Sequence, residues 1–152
     1  MNHEPRDPDF ERRVRASFGR QAAMATFGAT LARVMPGHVE IDLPFRPELA
    51  QQHGFLHAGV AASVMDSACG YAALSLMDPG AAVLSVEFKV NLLAPARGDR
   101  FRASGRVVRA GRNVTVVSGE LRVVEATGDP GALVAMMTAT MMAVRDRPDL
   151  VD

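Results

Sequence analysis

One acidic side chain stands alone inside an apolar stretch. Asp66 follows Met65 and has Ala62 and Gly70 one turn to either side. No Lys or Arg occurs between Arg46 and Lys89, and the acids of that interval are Glu48, Asp66, Asp78 and Glu87. A carboxylate buried without a cation is costly. Asp66 must therefore be hydrogen-bonded, paired across an interface, or held protonated with a raised pKa. A carboxyl group in such a setting can serve as general base or nucleophile. The competing reading is a structural Asp satisfied by backbone amides or by Ser63 and Ser67, and residue type alone weighs the two equally.

A second feature lies just upstream. Gln51-Gln52-His53-Gly54-Phe55-Leu56-His57-Ala58-Gly59 is polar, contains glycine and opens directly into the apolar stretch. The first amides of a helix have no internal acceptors and carry partial positive charge, so they can hold an anion or a developing oxyanion. Asp66 lies nine residues after His57, roughly 13 Å along one helix. That is too far for both to reach one carbonyl. Two such helices, antiparallel and side by side, would bring His57 of one chain near Asp66 of another. The expectation is an active site shared across a dimer.

These groups need elements to position them. Leu56 to Met77 is apolar and free of proline, and Asp78-Pro79-Gly80 stops it, which predicts a helix of about twenty residues. Its apolar residues occur all round, as in a helix buried on most sides. One stripe is small or polar (Gly59, Ala62, Ser63, Asp66, Cys69, Gly70, Ala73) and the opposite side is bulky (Val60, Val64, Tyr71, Leu74). Before it, Asp7 to Phe27 reads as an amphipathic helix with Phe10, Val14 and Phe18 at a spacing of four. A hairpin turns at Pro36-Gly37, and a short helical turn fits Pro47 to Gln52. After the central helix come four long strand patterns, Ala82–Ala94, Phe101–Ala110, Val114–Glu125 and Leu133–Val144. In the first, Val86, Phe88, Val90 and Leu92 alternate with Ser85, Glu87, Lys89 and Asn91. A helix buried on nearly all sides needs a sheet wrapped around it. The predicted architecture is α+β, a curved antiparallel sheet around one long central helix with an extra N-terminal helix.

Composition narrows the function classes. The chain has 152 residues with 17 basic and 17 acidic side chains, so it lacks the basic excess of a nucleic-acid binder. A single cysteine excludes an internal disulfide framework and a multi-thiolate zinc site. His3, His38, His53 and His57 lack zinc-site spacing, so no metal is expected. There is no Gly-x-Ser-x-Gly motif for a serine nucleophile. Cys69 reads as a small buried helix residue. Residues 1–15 are polar and charged, and no apolar run is long enough to span a bilayer. The expectation is a cytoplasmic protein with no membrane or nucleic-acid partner. Arg109-Ala110-Gly111-Arg112-Asn113 forms a tight connection carrying two guanidiniums, which suits the phosphates of a nucleotide as well as it suits a solvated turn. Lys89 and Arg97 are further cations. Met136, Met137, Met141 and Met142 fall on both faces of the last strand and read as sheet packing.

Leu56-His57-Ala58-Gly59 followed by Asp66 and Gly70, then Leu84-Ser85-Val86-Glu87-Phe88-Lys89-Val90-Asn91 and Ala94-Pro95-Ala96, resembles the hotdog-fold acyl-CoA thioesterases. Among them it is most similar to the phenylacetate-degradation-type and acyl-CoA thioesterase 13-like group. The resemblance spans about residues 28–144. It implies three parts, an N-terminal helix at 1–27, a hotdog domain at 28–145 and a frayed tail at 146–152. It also implies hydrolysis of an acyl-CoA by a homodimer or a dimer of dimers, with CoA as part of the substrate and no separate cofactor. Asp66 would then be base or nucleophile, His57 would lie beside the thioester oxygen, and the amide of Ala58 would polarise it. Gln51 would orient the water, and Ser85 would assist from the strand. Gly59 and the turn of Arg109, Gly111, Arg112 and Asn113 would bind substrate. Relatives carry glycine where this chain has Ala58, a change that keeps the amide. Two alternatives remain open, a hotdog hydratase or dehydratase acting on acyl thioesters and a non-catalytic acyl-CoA-binding protein.

Overall fold

The computed structural model describes residues 3–147, 149, 150 and 152. Six antiparallel strands form one sheet in the order β1-β2-β4-β5-β6-β3. They are β1 (Thr30–Met35), β2 (His38–Pro44), β3 (Ala82–Leu92), β4 (Arg100–Ala110), β5 (Val114–Val124) and β6 (Pro130–Val144). The central helix α3 (Ala58–Leu74) lies against β2, β3, β4, β5 and β6. This is the expected α+β hotdog arrangement. Strands β1 and β3 are the free edges.

The helix approaches the sheet closely because both surfaces are small where they meet. A Cβ added at Gly105 of β4 would run into the backbone of Ala68 and lie 2.7 Å from the Cys69 nitrogen. At Gly119 of β5 it would lie 2.9 Å from Cys69 Sγ. The small-residue stripe of α3 therefore divides. Cys69 and Ala73 are buried, whereas Gly59, Ala62, Ser63, Asp66 and Gly70 stay partly or fully open. A Cβ at Gly70 would meet nothing within 4 Å. α3 is also shorter than the apolar stretch suggests. Its start is set where His57 caps it, and its end where the Ser75 hydroxyl donates to the Ala72 carbonyl and accepts from the Gly37 N–H.

The N-terminal segment breaks in two, α1 (Phe10–Arg20) and α2 (Ala22–Phe27). Gln21, expected inside one helix, is extended at φ −80° and ψ 93° and serves as the end of one helix and the start of the next. The break accompanies burial of Met24, which is 1% exposed, alongside Val14 at 0%. Phe18 meets Tyr71 of α3 edge to face. Arg13 fastens α1 to the far end of α3. Its guanidinium donates to the carbonyls of Leu74, Met77 and Asp78 and pairs with Asp7 at 3.3 Å. Leu74 ends α3 and Met77 and Asp78 follow it in the turn, so a cation sits at the negative end of the helix. At the chain's other end, the Asp152 carboxylate accepts from Ser17 Oγ and from the N–H of Val83, while Pro148 and Val151 of the expected tail lie outside the described residues.

Candidate active site

The start of α3 leaves one amide available. His57 is its N-cap, and His57 Nδ1 accepts from the Gly59 N–H at 2.9 Å. The His57 carbonyl takes the N–H groups of Val60 and Ala61. Among the described residues no acceptor is found for the Ala58 N–H. With Nδ1 accepting, the neutral imidazole carries its proton on Nε2, which makes His57 a second donor at the same helix end. Gln51 sits in a turn closed by its own N–H to the Phe55 carbonyl and by the Gly54 N–H to its carbonyl. Its side-chain oxygen accepts from the His53 N–H, so the side-chain NH2 is the end left for a ligand.

Asp66 is half-buried on α3, and its Oδ1 accepts a 2.7 Å hydrogen bond from Ser85 Oγ. Burial holds its carboxyl above the usual carboxylate range, and the Ser85 hydroxyl partly opposes that shift. Of the two readings open for Asp66, no backbone amide or neighbouring serine of its own helix satisfies it among the described residues. The thiol of Cys69, buried near Asp66, is pushed up to about 12 and stays protonated at neutral pH.

Ser85 reaches the helix because of a register shift. It pairs with Met141, Glu87 pairs with Thr140, and Val86 is the extra residue between them. Met141 and Ala139 are fully buried beneath α3. Ser85 opposite Met141 and Phe88 opposite Ala139 therefore share the inner face. The sequence alternation places Ser85 opposite in face to Phe88, Val90 and Leu92; the bulge overturns that and gathers them on one side. Glu87 is turned outward, where it accepts from Thr140 Oγ1.

Within one chain the groups form two halves. Gln51 and Ala58 line a cavity of about 430 Å³ at the start of α3, shared with the end of β3 and the 92–96 segment. Asp66 and Ser85 sit further along the helix, toward the other end of β3. The turn joining β4 to β5 belongs to that second end, since Val114 pairs with Met142, which pairs with Leu84. Arg145 holds the turn by donating to the Arg112 carbonyl and to Asn113 Oδ1. Gly111 is pressed on the Val114 carbonyl, where a Cβ would lie 2.5 Å away. The Arg109 and Arg112 side chains are exposed. Gly59 stands open at the helix start, its N–H already taken by His57.

Two features escaped the sequence reading. The cavity wall combines Leu92, Leu93 and Ala94 with Leu121 and Val134 from distant strands, which no local pattern announces. The Arg97 guanidinium stacks over Phe55 at 5.1 Å beside the cavity mouth. Among the described residues no three His, Cys, Asp or Glu side chains converge as a metal site would need, and no helix is long and apolar enough to cross a membrane.

Comparison with known proteins adds four matches. Residues 53–127 match the family model of the thioesterase superfamily. A thioesterase family protein from Silicibacter pomeroyi is 50% identical, with a TM-score of 0.85 over 90% of this chain and 98% of that one. A protein of Saccharolobus solfataricus named "Putative esterase SSO2140" is 34% identical over 96 residues, 63% of this chain. The chain spans 66%, 64% and 59% of the lengths of the curated relatives it matches. The PaaI protein of E. coli, from its phenylacetic acid degradation operon, shares the fold at 20% identity, with a TM-score of 0.78 over 90% of this chain and 94% of that one.

Proposed function

This chain belongs to the thioesterase superfamily, and we propose that within it the protein hydrolyses an acyl-CoA thioester at a site completed by two copies of the chain. The observation that carries the reading is the separation of the two halves: among the described residues, an Ala58 N–H without an acceptor at the helix start and a solvent-reachable Asp66 whose hydrogen bond is to Ser85.

Edge strand β3 supports the two-copy site. Val86 is 56% exposed, Phe88 45% and Leu92 60%, an apolar edge that a lone chain would leave in water. A second copy paired antiparallel along it would carry Asp66 of one chain toward Ala58 and His57 of the other. In that arrangement the thioester oxygen receives the Ala58 N–H and His57 Nε2–H. Asp66 then acts by one of two routes. As general base it takes a proton from water while the water oxygen attacks the carbonyl carbon. The C–S bond breaks as the tetrahedral oxyanion collapses, and the CoA thiolate leaves with that proton. As nucleophile its oxygen attacks the carbonyl directly, expels the thiolate, and leaves a mixed anhydride for water to open. The exposed Arg109 and Arg112 guanidiniums would take the phosphates of CoA.

A panel of acyl-CoAs assayed for free thiol, with the unmutated protein and with Asp66→Asn, tests the reading. Hydrolysis abolished by the substitution, with binding of CoA esters intact, is the expected result. Hydrolysis unchanged by it sinks the mechanism. A single turnover in 18O-labelled water that leaves label in Asp66 establishes the nucleophile route with water opening the anhydride at the aspartyl carbonyl, and trapping of an acyl-enzyme with hydroxylamine detects the anhydride opened at either carbonyl.

A further inference from the structure

The cavity beside Ala58 has a polar edge and an apolar depth. Gln51 and the Ala58 amide lie at its opening, whereas Leu56, Ala61, Leu121, Val134 and Ala135 are all less than 5% exposed and make its inner wall. That wall is entirely aliphatic. The aromatic lining residue, Phe55, is half-buried and its ring is covered by Arg97. A ring-bearing acyl group would find no edge or face partner in the depth, while a flexible chain can fill a wall of Leu, Val and Ala. The volume, about 430 Å³, also sets a length. At about 30 Å³ for each water-sized group it holds roughly fourteen. Part of that space lies at the mouth, where the thioester itself must sit.

Resting on the acyl-CoA reading, we infer that this cavity holds the acyl group and selects an aliphatic chain of about six to ten carbons, with Ala61 setting the limit. Ala61, the fourth residue of α3, begins the second helical turn on the inner wall. A larger residue there takes space from a cavity that Ala58 also lines.

The test is a series of straight-chain acyl-CoAs from two to sixteen carbons, together with phenylacetyl-CoA. Each methylene buried in the cavity should raise kcat/KM about fourfold, until the chain outgrows the cavity near ten carbons. Ala61→Leu should move that break at least two carbons shorter and lower the octanoyl-to-butanoyl ratio at least tenfold. Val134→Ala should move it longer, which keeps the test alive if the larger residue prevents folding. Asp66→Asn, titrated with the same esters, should show the same break in affinity without turnover. A flat series, or phenylacetyl-CoA preferred to octanoyl-CoA, overturns the inference while leaving hydrolysis standing. An absence of turnover with every ester, alongside a length-dependent affinity, sinks the hydrolase reading and keeps the pocket.

Discussion

Ser85 Oγ donates a 2.7 Å hydrogen bond to Asp66 Oδ1, the contact through which the edge strand holds the carboxyl group of the central helix. It favours the ionised form of a group whose burial favours the neutral one.

Ser85→Ala removes the stabilising donor, so the Asp66 pKa should rise further. A base or nucleophile must be ionised to act. The acid limb of kcat/KM against pH should therefore move to higher pH, with activity above the limb reduced less than tenfold. A limb that stays in place, or moves down, contradicts the assignment of Asp66.

Asp66→Asn should lower the hydrolytic rate by 10²–10⁴-fold, the range set by a positioned base. It should also make the protein more stable at neutral pH. The folded-state pKa of Asp66 is raised, so the folded chain holds that proton more tightly than the unfolded chain does. Stability from this group is complete below the unfolded pKa and falls as pH rises through the folded one. The amide carries no charge to bury. Urea midpoints of the two proteins should diverge as pH rises through the folded pKa and converge in acid.

Ala58 is the first residue of α3, a position where proline is tolerated, and His57 before it has φ −64° and ψ 135°, which a following proline accepts. Ala58→Pro should delete the oxyanion donor and leave the helix intact, as circular dichroism can verify. Alone, Ala58→Pro and Asp66→Asn should each hydrolyse substrate at a small fraction of the unmutated rate. Unfolded together and refolded as a mixture, they should recover about a quarter of unmutated activity, since half the dimers are mixed and each has one intact site. No recovery would place both groups in one chain's own site.

Arg13→Met should destabilise the fold by about 3 kcal/mol in urea titration, because Asp7 loses its ion-pair partner and three carbonyls lose a charged donor in a nearly buried setting. A loss below 1 kcal/mol would mean that α1 contributes little to the end of α3.

Gly105→Ala should cost at least about 3 kcal/mol, since the methyl group meets the helix backbone and no side chain can rotate aside. Thermal denaturation reads this directly. An unchanged midpoint would mean that α3 can lift from the sheet freely.

The hydrophobic patterns carried most of this fold. The proline-free apolar run became α3, and turn residues at Pro36-Gly37 and Gly111 became hairpins, because burial and turn chemistry are local in sequence. Asp66 was legible as an unpaired acid for the same reason. The register of β3 was not. Ser85 to Leu92 alternates without a fault, so nothing in its spacing reveals that Val86 is extra; pairing with Met141 and Thr140 of a distant strand decides it. The break at Gln21 was hidden in the same way, since its neighbours are good helix formers and the bend coincides with Met24 entering the core. The cavity wall depends on residues some eighty positions apart, which only the folded sheet assembles.

In the proposed two-copy site, the bulge at Val86 would also bear on the symmetry. Beyond it, β3 pairs without interruption from Glu87 to Leu92. A second copy laid antiparallel on this edge has that run to match, and the two-fold axis then crosses between Lys89 and Val90. About such an axis, the stretch around Ser85 of one copy falls across from Leu92 to Ala94 of the other, where the cavity opens. One inserted residue thus turns the Ser85 hydroxyl inward to Asp66 and, in the proposed two-copy site, sets where a rotation axis would stand for that carboxyl group to meet a neighbour's helix.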